Sequence, residues 1–471
     1  MKQRDWKIIY SSCEGVELRA LEFLYAEIGN YIQRDLGMYS LYTIPCEKGT
    51  ENLPDRNAVV IGTLDGNPLL RRFIVPEEIP SHGFRISIVA HPDCAEMRLV
   101  LIAGDGPAEV LYGAVTFIDD ILPETLPVDG DGVVYWGDAF KTPFPVMTYS
   151  DAPATLVRSV FTWAHPIADY EEYFRNMARM KLNRVYLWNE FAPVNVREVV
   201  DCAHSWGIEV FWGFSWGWST NCTKANVLDL RGMSANILQE WHDVWSHLPG
   251  DGIYFQSFTE TWETAISGKS IAECVTELVN YTASKILEEN PNLRIVYGLH
   301  ATSVMEYLSD IQKTDSRLEI LWENCGGFPY KVNVPVEPMK EHPFTRTLMA
   351  LNHSMGLVFK CQLMQKWTDF AHQAGPYVMG RNGHCVQKHD IAVTAPMWRH
   401  YEALWAENGK LAHDLASLVQ REGGVDVELN LAAQLNGPIH WPTALTAELF
   451  WNSSRCYDDI RSRVLRKRWL V

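Results

Sequence analysis

From Arg158 onward the chain alternates short apolar runs with amphipathic ones, about eight times over about 240 residues. RSVFTW precedes YEEYFRNMARMK, and NRVYLWN precedes NVREVVDCAHSWG. IEVFWGFSWGW opens an excursion that holds ANILQEWHDVWSHL. GIYFQSFTE precedes IAECVTELVNYTASKILEEN, and LRIVYGLH precedes VMEYLSDIQ. LEILWEN leads into a Pro-rich turn and a short helix, LVFKCQLMQ follows, and PYVMGRN is the candidate last strand. Strands this apolar along their length must be covered on both faces, as in parallel sheets. The pattern predicts an α/β protein built on a (β/α)8 TIM barrel. A doubly wound open sheet is the alternative. Closure is favoured because the alternation carries no reversal signal and polar residues recur at almost every strand end.

The flanks read differently. Residues 1–145 predict a small α/β domain, with strands at KIIYSS, AVVIGT, FRISIVA and MRLVLIAGD and helices at GVELRALEFLYAEIGNYIQRDL and PAEVLYGAVTFIDDIL. GDGPAEVLYG lacks the third glycine of a dinucleotide fingerprint, so it reads as a tight strand-to-helix turn. The Gly-, Pro- and Asp-rich stretch DGDGVVYWGDAFKTPFPVMTYSDAP marks a boundary. The barrel is then expected over 146–400 and a helical C-terminal region over 401–471.

Charge narrows the partners. With 41 Lys and Arg against 58 Asp and Glu, the formal charge is −17, and no basic stripe offsets it. Such a chain repels phosphate backbones, so nucleic acid is set aside. No apolar stretch is long enough to span a bilayer, and MKQRDWKIIYSS has no signal-peptide core. The 10 cysteines are scattered without paired spacing and read as reduced thiols. A cytoplasmic location is expected, with no membrane partner. The sequence leaves a homo-oligomer open.

In barrels of this type the active site lies at the carboxyl ends of the strands. Those ends carry Trp163; Trp188, Asn189 and Glu190; Trp212, Trp216 and Trp218; Glu260, Trp262 and Glu263; His300; Trp322, Glu323 and Asn324; Lys360 and Gln362; and Arg381. The chain has 18 Trp, and their concentration here suggests a surface for the C–H faces of sugar rings, with amides and acids binding hydroxyls. Trp163, Trp188, Asn189, Glu190, Trp216, Trp218, Trp262, His300 and Gln362 are the candidate substrate-binding residues. Any one tryptophan could instead be packing.

Two acids stand out. Alternation puts Tyr254, Gln256, Phe258 and Glu260 on one face of the fourth strand, and Glu319, Leu321 and Glu323 on one face of the sixth. Glu260 and Glu323 would then flank a glycosidic bond, one as proton donor and the other as base, nucleophile or charge stabiliser. Trp262 and Trp322 would supply apolar surroundings. Glu190 competes for the second role, Glu263 reads as a loop residue, and either main glutamate could instead pair with Arg381 or Lys360. His300 would bind substrate or orient an acid. No HExxH, Cys/His cluster or G-x-S-x-G elbow is present, so neither a metal nor another cofactor is expected.

FRISI…MRLVLIAGD…EVLYGAVTFIDDIL resembles the small α/β domain that precedes the barrel in α-glucuronidases and β-N-acetylhexosaminidases. AELFWNSS resembles the start of the helical region that follows the barrel in the α-glucuronidases. The resemblance implies glycoside hydrolysis, with Glu260 as the fourth-strand general acid. Hexosaminidases place an aspartate before that glutamate, where this chain has Thr259. The α-glucuronidases take carboxylates from the sixth and seventh strands; here the sixth offers Glu323 and LVFKCQLMQK has none. The reading is a divergent glycosidase of unassigned sugar. The alternative is a non-catalytic carbohydrate-binding protein on the same scaffold.

Overall fold

The computed structural model describes residues 6–36, 43–126, 139–141, 143–162, 167–188, 191–217, 228–259, 263–299, 304, 307–323, 349–351, 354–362, 376–380, 384–433 and 435–470. For 32–36, 360–362, 384–395 and 397 only the backbone is described. The chain divides into two compact units. One comprises 1–153, 204–207 and 461–470; the other comprises 154–203, 208–460 and 471.

The first unit is a six-stranded mixed sheet. Strands β1 (Trp6–Tyr10), β2 (Cys46–Lys48), β3 (Asn57–Thr63), β4 (Phe84–His91), β5 (Cys94–Gly104) and β6 (Met147–Asp151) lie in the order β2-β1-β3-β5-β4-β6. β2, β1, β3 and β5 are parallel, while β4 runs against both β5 and β6. Ile9, Val60, Leu99 and Leu101 pack with Leu69, Leu70 and Ile74 on one side of it. Two strands escape the sequence pattern. β2 is exposed and carries no apolar alternation, and β6 is a half-exposed edge strand within the Gly/Pro-rich boundary stretch. Gly106 caps the helix Pro107–Thr116, so the glycine pair of GDGPAEVLYG is a strand-to-helix turn. The C-terminal segment belongs to this unit. Lys467 Nζ donates to Asp120 at 3.0 Å and Trp469 Nε1 donates to Asp119 at 2.9 Å.

The second unit is a closed eight-stranded parallel barrel. Its strands are β7 (Val157–Phe161), β8 (Arg184–Trp188), β9 (Glu209–Ser215), β10 (Gly252–Gln256), β11 (Arg294–Leu299), β12 (Glu319–Trp322), β13 (Met355–Gln362) and β14 (Glu428–Ala433). They follow one another around the barrel, and β14 pairs in parallel with β7 to close it. The first seven are the strands the sequence predicts. The eighth is not: PYVMGRN contributes one isolated bridge, Tyr377 to Pro193. ELNLAA closes the barrel instead, after the long helix His384–Gly423. It lies inside the stretch expected to be a helical tail. Its apolar run is broken by Glu428 and Asn430, which hides it from a hydrophobicity pattern, yet both are buried.

Each strand gives one residue to a central layer: Phe161, Tyr186, Phe211, Tyr254, Val296, Leu321, Val358 and Ala432. Such interleaved layers make a barrel interior a packed core rather than a pore. Four of the eight are aromatic, and two inward glycines make room for their neighbours. A Cβ on Gly298 would overlap the Tyr254 hydroxyl, and a Cβ on Gly213 would press on the Trp188 ring. Helices cover the outside. Tyr170–Arg179 starts at Asp169, whose side chain accepts from Glu172 N at 3.0 Å. Ile271–Glu289 buries Ile271, Val275, Leu278, Val279, Thr282 and Ile286, the stripe expected of a helix lying on a sheet.

Candidate active site

At the carboxyl end of β12, Glu323 continues the strand by donating its N–H to Leu299 O at 3.1 Å. Its side chain shares the inward face with Leu321 and Glu319, as alternation requires. The Tyr254 hydroxyl donates to Glu323 Oε1 at 2.7 Å. Gln256 Nε2 donates to the same oxygen and to the Tyr254 oxygen, the latter at 3.1 Å. All three side chains are buried. Burial, and then the neighbouring Glu323 carboxylate, hold the Tyr254 phenol well above its ordinary value, so it remains a donor.

Aromatic rings surround this group. Tyr254 lies 4.9 Å from Phe161, 5.0 Å from Tyr186 and 5.9 Å, edge to face, from Trp188. Trp188 is half-buried at the strand end, and its backbone N–H donates to Thr162 Oγ1 at 3.2 Å. Of the candidates, Glu323 and Trp188 are therefore brought to one interior around Tyr254.

Other candidates go elsewhere. Trp216 is fully buried and stacks on Phe255 at 3.7 Å, and Phe255 stacks on Tyr297 at 5.0 Å. Residues 255 and 297 alternate with the inward Tyr254 and Val296, so this stack lies on the helix side of the sheet. Trp216 packs there rather than lining the interior. Trp322 alternates with Leu321 and Glu323 and is buried on that same side, so it does not form the apolar surroundings of Glu323. Glu263 is exposed. Thr259, which stands where the resemblance has an aspartate, is fully buried.

Trp163, Asn189, Glu190, Trp218, Glu260, Trp262 and His300 lie outside the described residues. Gln362 is the last residue of β13, opposite Ala433, and its side chain lies outside the description too. The alternation argument for Glu260 needs correction. β10 ends at Gln256, and Thr259 N folds back to Ser257 O at 2.8 Å. Period-2 spacing stops four residues short of Glu260, because a turn breaks the extended backbone on which that period depends.

At the opposite mouth, five strands begin with a charged residue: Arg184, Glu209, Arg294, Glu319 and Glu428. Arg184 is buried and donates to Glu209 at 2.8 Å, Glu319 at 3.1 Å and Glu428 at 2.8 Å. Arg294 joins Glu209 at 2.7 Å and Glu319 at 3.1 Å. Glu428 also accepts from Ser159 Oγ at 2.5 Å and from Tyr186 Oη at 2.8 Å. This end of a barrel serves stability. The repeated charge at strand starts is visible in the sequence and could have identified the cluster. Among the described residues, no group of His, Cys, Asp and Glu is arranged to hold a metal ion, and no helix is long and apolar enough to cross a membrane.

No protein-family model matches the chain, and no curated protein matches its sequence. Solved structures do resemble it. A point mutant of Streptomyces plicatus beta-hexosaminidase in complex with product (GlcNAc) has 12% identity and a TM-score of 0.51, covering 98% of this chain and 89% of that one. The GH20 beta-N-acetylhexosaminidase from Streptomyces coelicolor A3(2) has 13% identity and a TM-score of 0.50, covering 98% and 90%. A GH138 enzyme targeting pectin rhamnogalacturonan II has 10% identity and a TM-score of 0.49; the chain spans 64% of its length. The chain thus shares the fold of hexosaminidase-type glycoside hydrolases, an N-terminal α/β domain with an eight-stranded parallel barrel.

Proposed function

We propose that this protein is a glycoside hydrolase that cleaves its substrate with paired carboxylates. The observation that carries the reading is Glu323, an acid at the carboxyl end of a barrel strand, turned inward and gripped by Tyr254 and Gln256. A carboxylate brought into a buried interior and supplied with two donors suits a base, a nucleophile or a stabiliser of developing positive charge. Glu260, at the end of the segment that follows β10, is our candidate proton donor. Trp188 would offer an apolar surface to a sugar ring, with Trp163, Asn189, Glu190, Trp218, Trp262, His300 and Gln362 as further candidate contacts. The fold shared with hexosaminidase-type hydrolases supports a carbohydrate ligand. Thr259 in place of an aspartate argues against catalysis assisted by a substrate acetamido group.

The test is a panel of 4-nitrophenyl glycosides, including glucuronides and acetamido sugars, followed by the stereochemistry of any product. Turnover lost in Glu323→Gln and retained in Trp216→Phe supports the reading. A second reading has its own observation: β13, Met355–Gln362, contains no acid. A carbohydrate-binding protein without catalysis would bind a glycoside in calorimetry and release no nitrophenol from any member of the panel.

A further inference from the structure

Beneath the proposed catalytic carboxylate, the barrel interior is organised as two tyrosine–carboxylate pairs, one above the other. The upper is Tyr254 with Glu323; the lower is Tyr186 with Glu428. The two phenol rings meet at 5.0 Å. The lower carboxylate also faces Arg184, and the upper one accepts from Tyr254 and Gln256. We propose that Tyr254 and Gln256 are positioning residues that hold Glu323 ionised and aimed, committing it to the charge-bearing role and leaving proton donation to another group. The proposal rests on the glycosidase reading for its function, but the ionisation it describes does not need turnover to be measured.

The geometry supplies the reasons. Two donors converge on the same oxygen, Oε1, and a hydrogen bond to the charged form of an acid favours that form. Burial by itself favours the protonated form of an acid, so these donors act against it. Tyr254 cannot swing away, because its ring is packed among Phe161, Tyr186 and Trp188 and its hydroxyl occupies the space left by Gly298. Gln256 bonds both the carboxylate and the phenol oxygen, which fixes its amide. Among the described side chains, Tyr254 from β10 meets Glu323 directly, and Tyr186 from β8 lies one layer below against the Tyr254 ring; Lys360 follows two residues after the inward Val358 on β13.

The experiment uses the full chain labelled with 13C at the glutamate carboxyl carbons. Wild type, Tyr254→Phe and Gln256→Leu are titrated, and the Glu323 signal is assigned by its loss in Glu323→Gln. Removing the phenol hydroxyl is expected to weaken Glu323 acidity about tenfold, with Gln256→Leu moving it the same way. Where a glycoside is turned over, the acid limb of kcat/KM should move upward with the titration while KM changes little. A Glu323 titration unchanged in both variants overturns the proposal, as does a pH profile that stays fixed while only the overall rate falls. Should Tyr254→Phe fail to fold, Gln256→Leu decides alone. If wild type cleaves no glycoside but the titration shifts, the glycosidase reading fails and the positioning of Glu323 stands.

Discussion

Arg184 and Glu428 meet in the buried floor of the barrel, Nη1 to Oε2 at 2.8 Å, across the strand that separates them. The guanidinium also lies over the Phe211 ring at 4.5 Å and reaches Glu209 and Glu319. Burial works against its charge, but Tyr186 and the three carboxylates hold it protonated, above its already high ordinary value. Removing the guanidinium leaves Glu428 buried without its cation, while Arg294 still pairs with Glu209 and Glu319. Arg184→Met is therefore expected to destabilise the protein by about 3–5 kcal/mol. Urea denaturation measures this, and a loss below about 1 kcal/mol would show the cluster to be better hydrated than its burial implies.

The same pair makes stability depend on pH. Burial raises the Glu428 carboxyl above its ordinary 4.5, against the opposing pull of Arg184 and the hydrogen bonds from Ser159 and Tyr186. Such a group binds its proton more tightly when folded. Its contribution is complete below the unfolded value and is lost as pH rises through the folded one. The urea midpoint of wild type should thus decline across that window relative to Glu428→Gln, and a pH-independent difference between the two would refute the sign.

Gly298 sets the position of the Tyr254 hydroxyl. A Cβ there overlaps that oxygen and the ring carbon that bears it. Overpacking of this kind costs about 1–3 kcal/mol. Gly298→Ala should cost less in a Tyr254→Phe background than in wild type, since part of the clash is gone. Equal costs in a double-mutant cycle would show that the two residues do not share the space.

Trp216 and Trp188 should respond differently to truncation. Trp216 is fully buried in the stack with Phe255 and Tyr297, so Trp216→Ala is expected to lose about 3–5 kcal/mol of stability. Trp188 is half-buried at the strand end, so Trp188→Ala should cost less stability and act on glycoside binding. Thermal melts and calorimetry separate the two effects; a Trp216 variant of full stability and lost affinity would reverse the assignment.

In the smaller unit, Lys467 and Asp120 form an ion pair whose side chains are each 2% exposed. Lys467→Met leaves that acid buried without its cation and should destabilise this unit by about 3–5 kcal/mol. Limited proteolysis should then cut within 1–153 at lower urea than in wild type. Unchanged cleavage would mean that the C-terminal segment does not brace the unit.

Much of this molecule was legible in order of residues alone. Seven barrel strands announce themselves as apolar runs between amphipathic ones, and the inward turn of Glu323 follows from its phase with Leu321 and Glu319. These properties are local, because helix and strand periods are set by a few neighbouring residues. The rest depended on which distant strands meet. ELNLAA looks too polar for a barrel strand until Glu428 finds Arg184 and Asn430 finds Ser159 from the far side of the closure. Trp216 looks like a rim residue until the chain turns its indole onto Phe255, and Tyr254 looks like core until closure carries Glu323 to its hydroxyl. Burial of a charge or a ring is decided by partners remote along the chain, so only the closed barrel reveals what each of these side chains does.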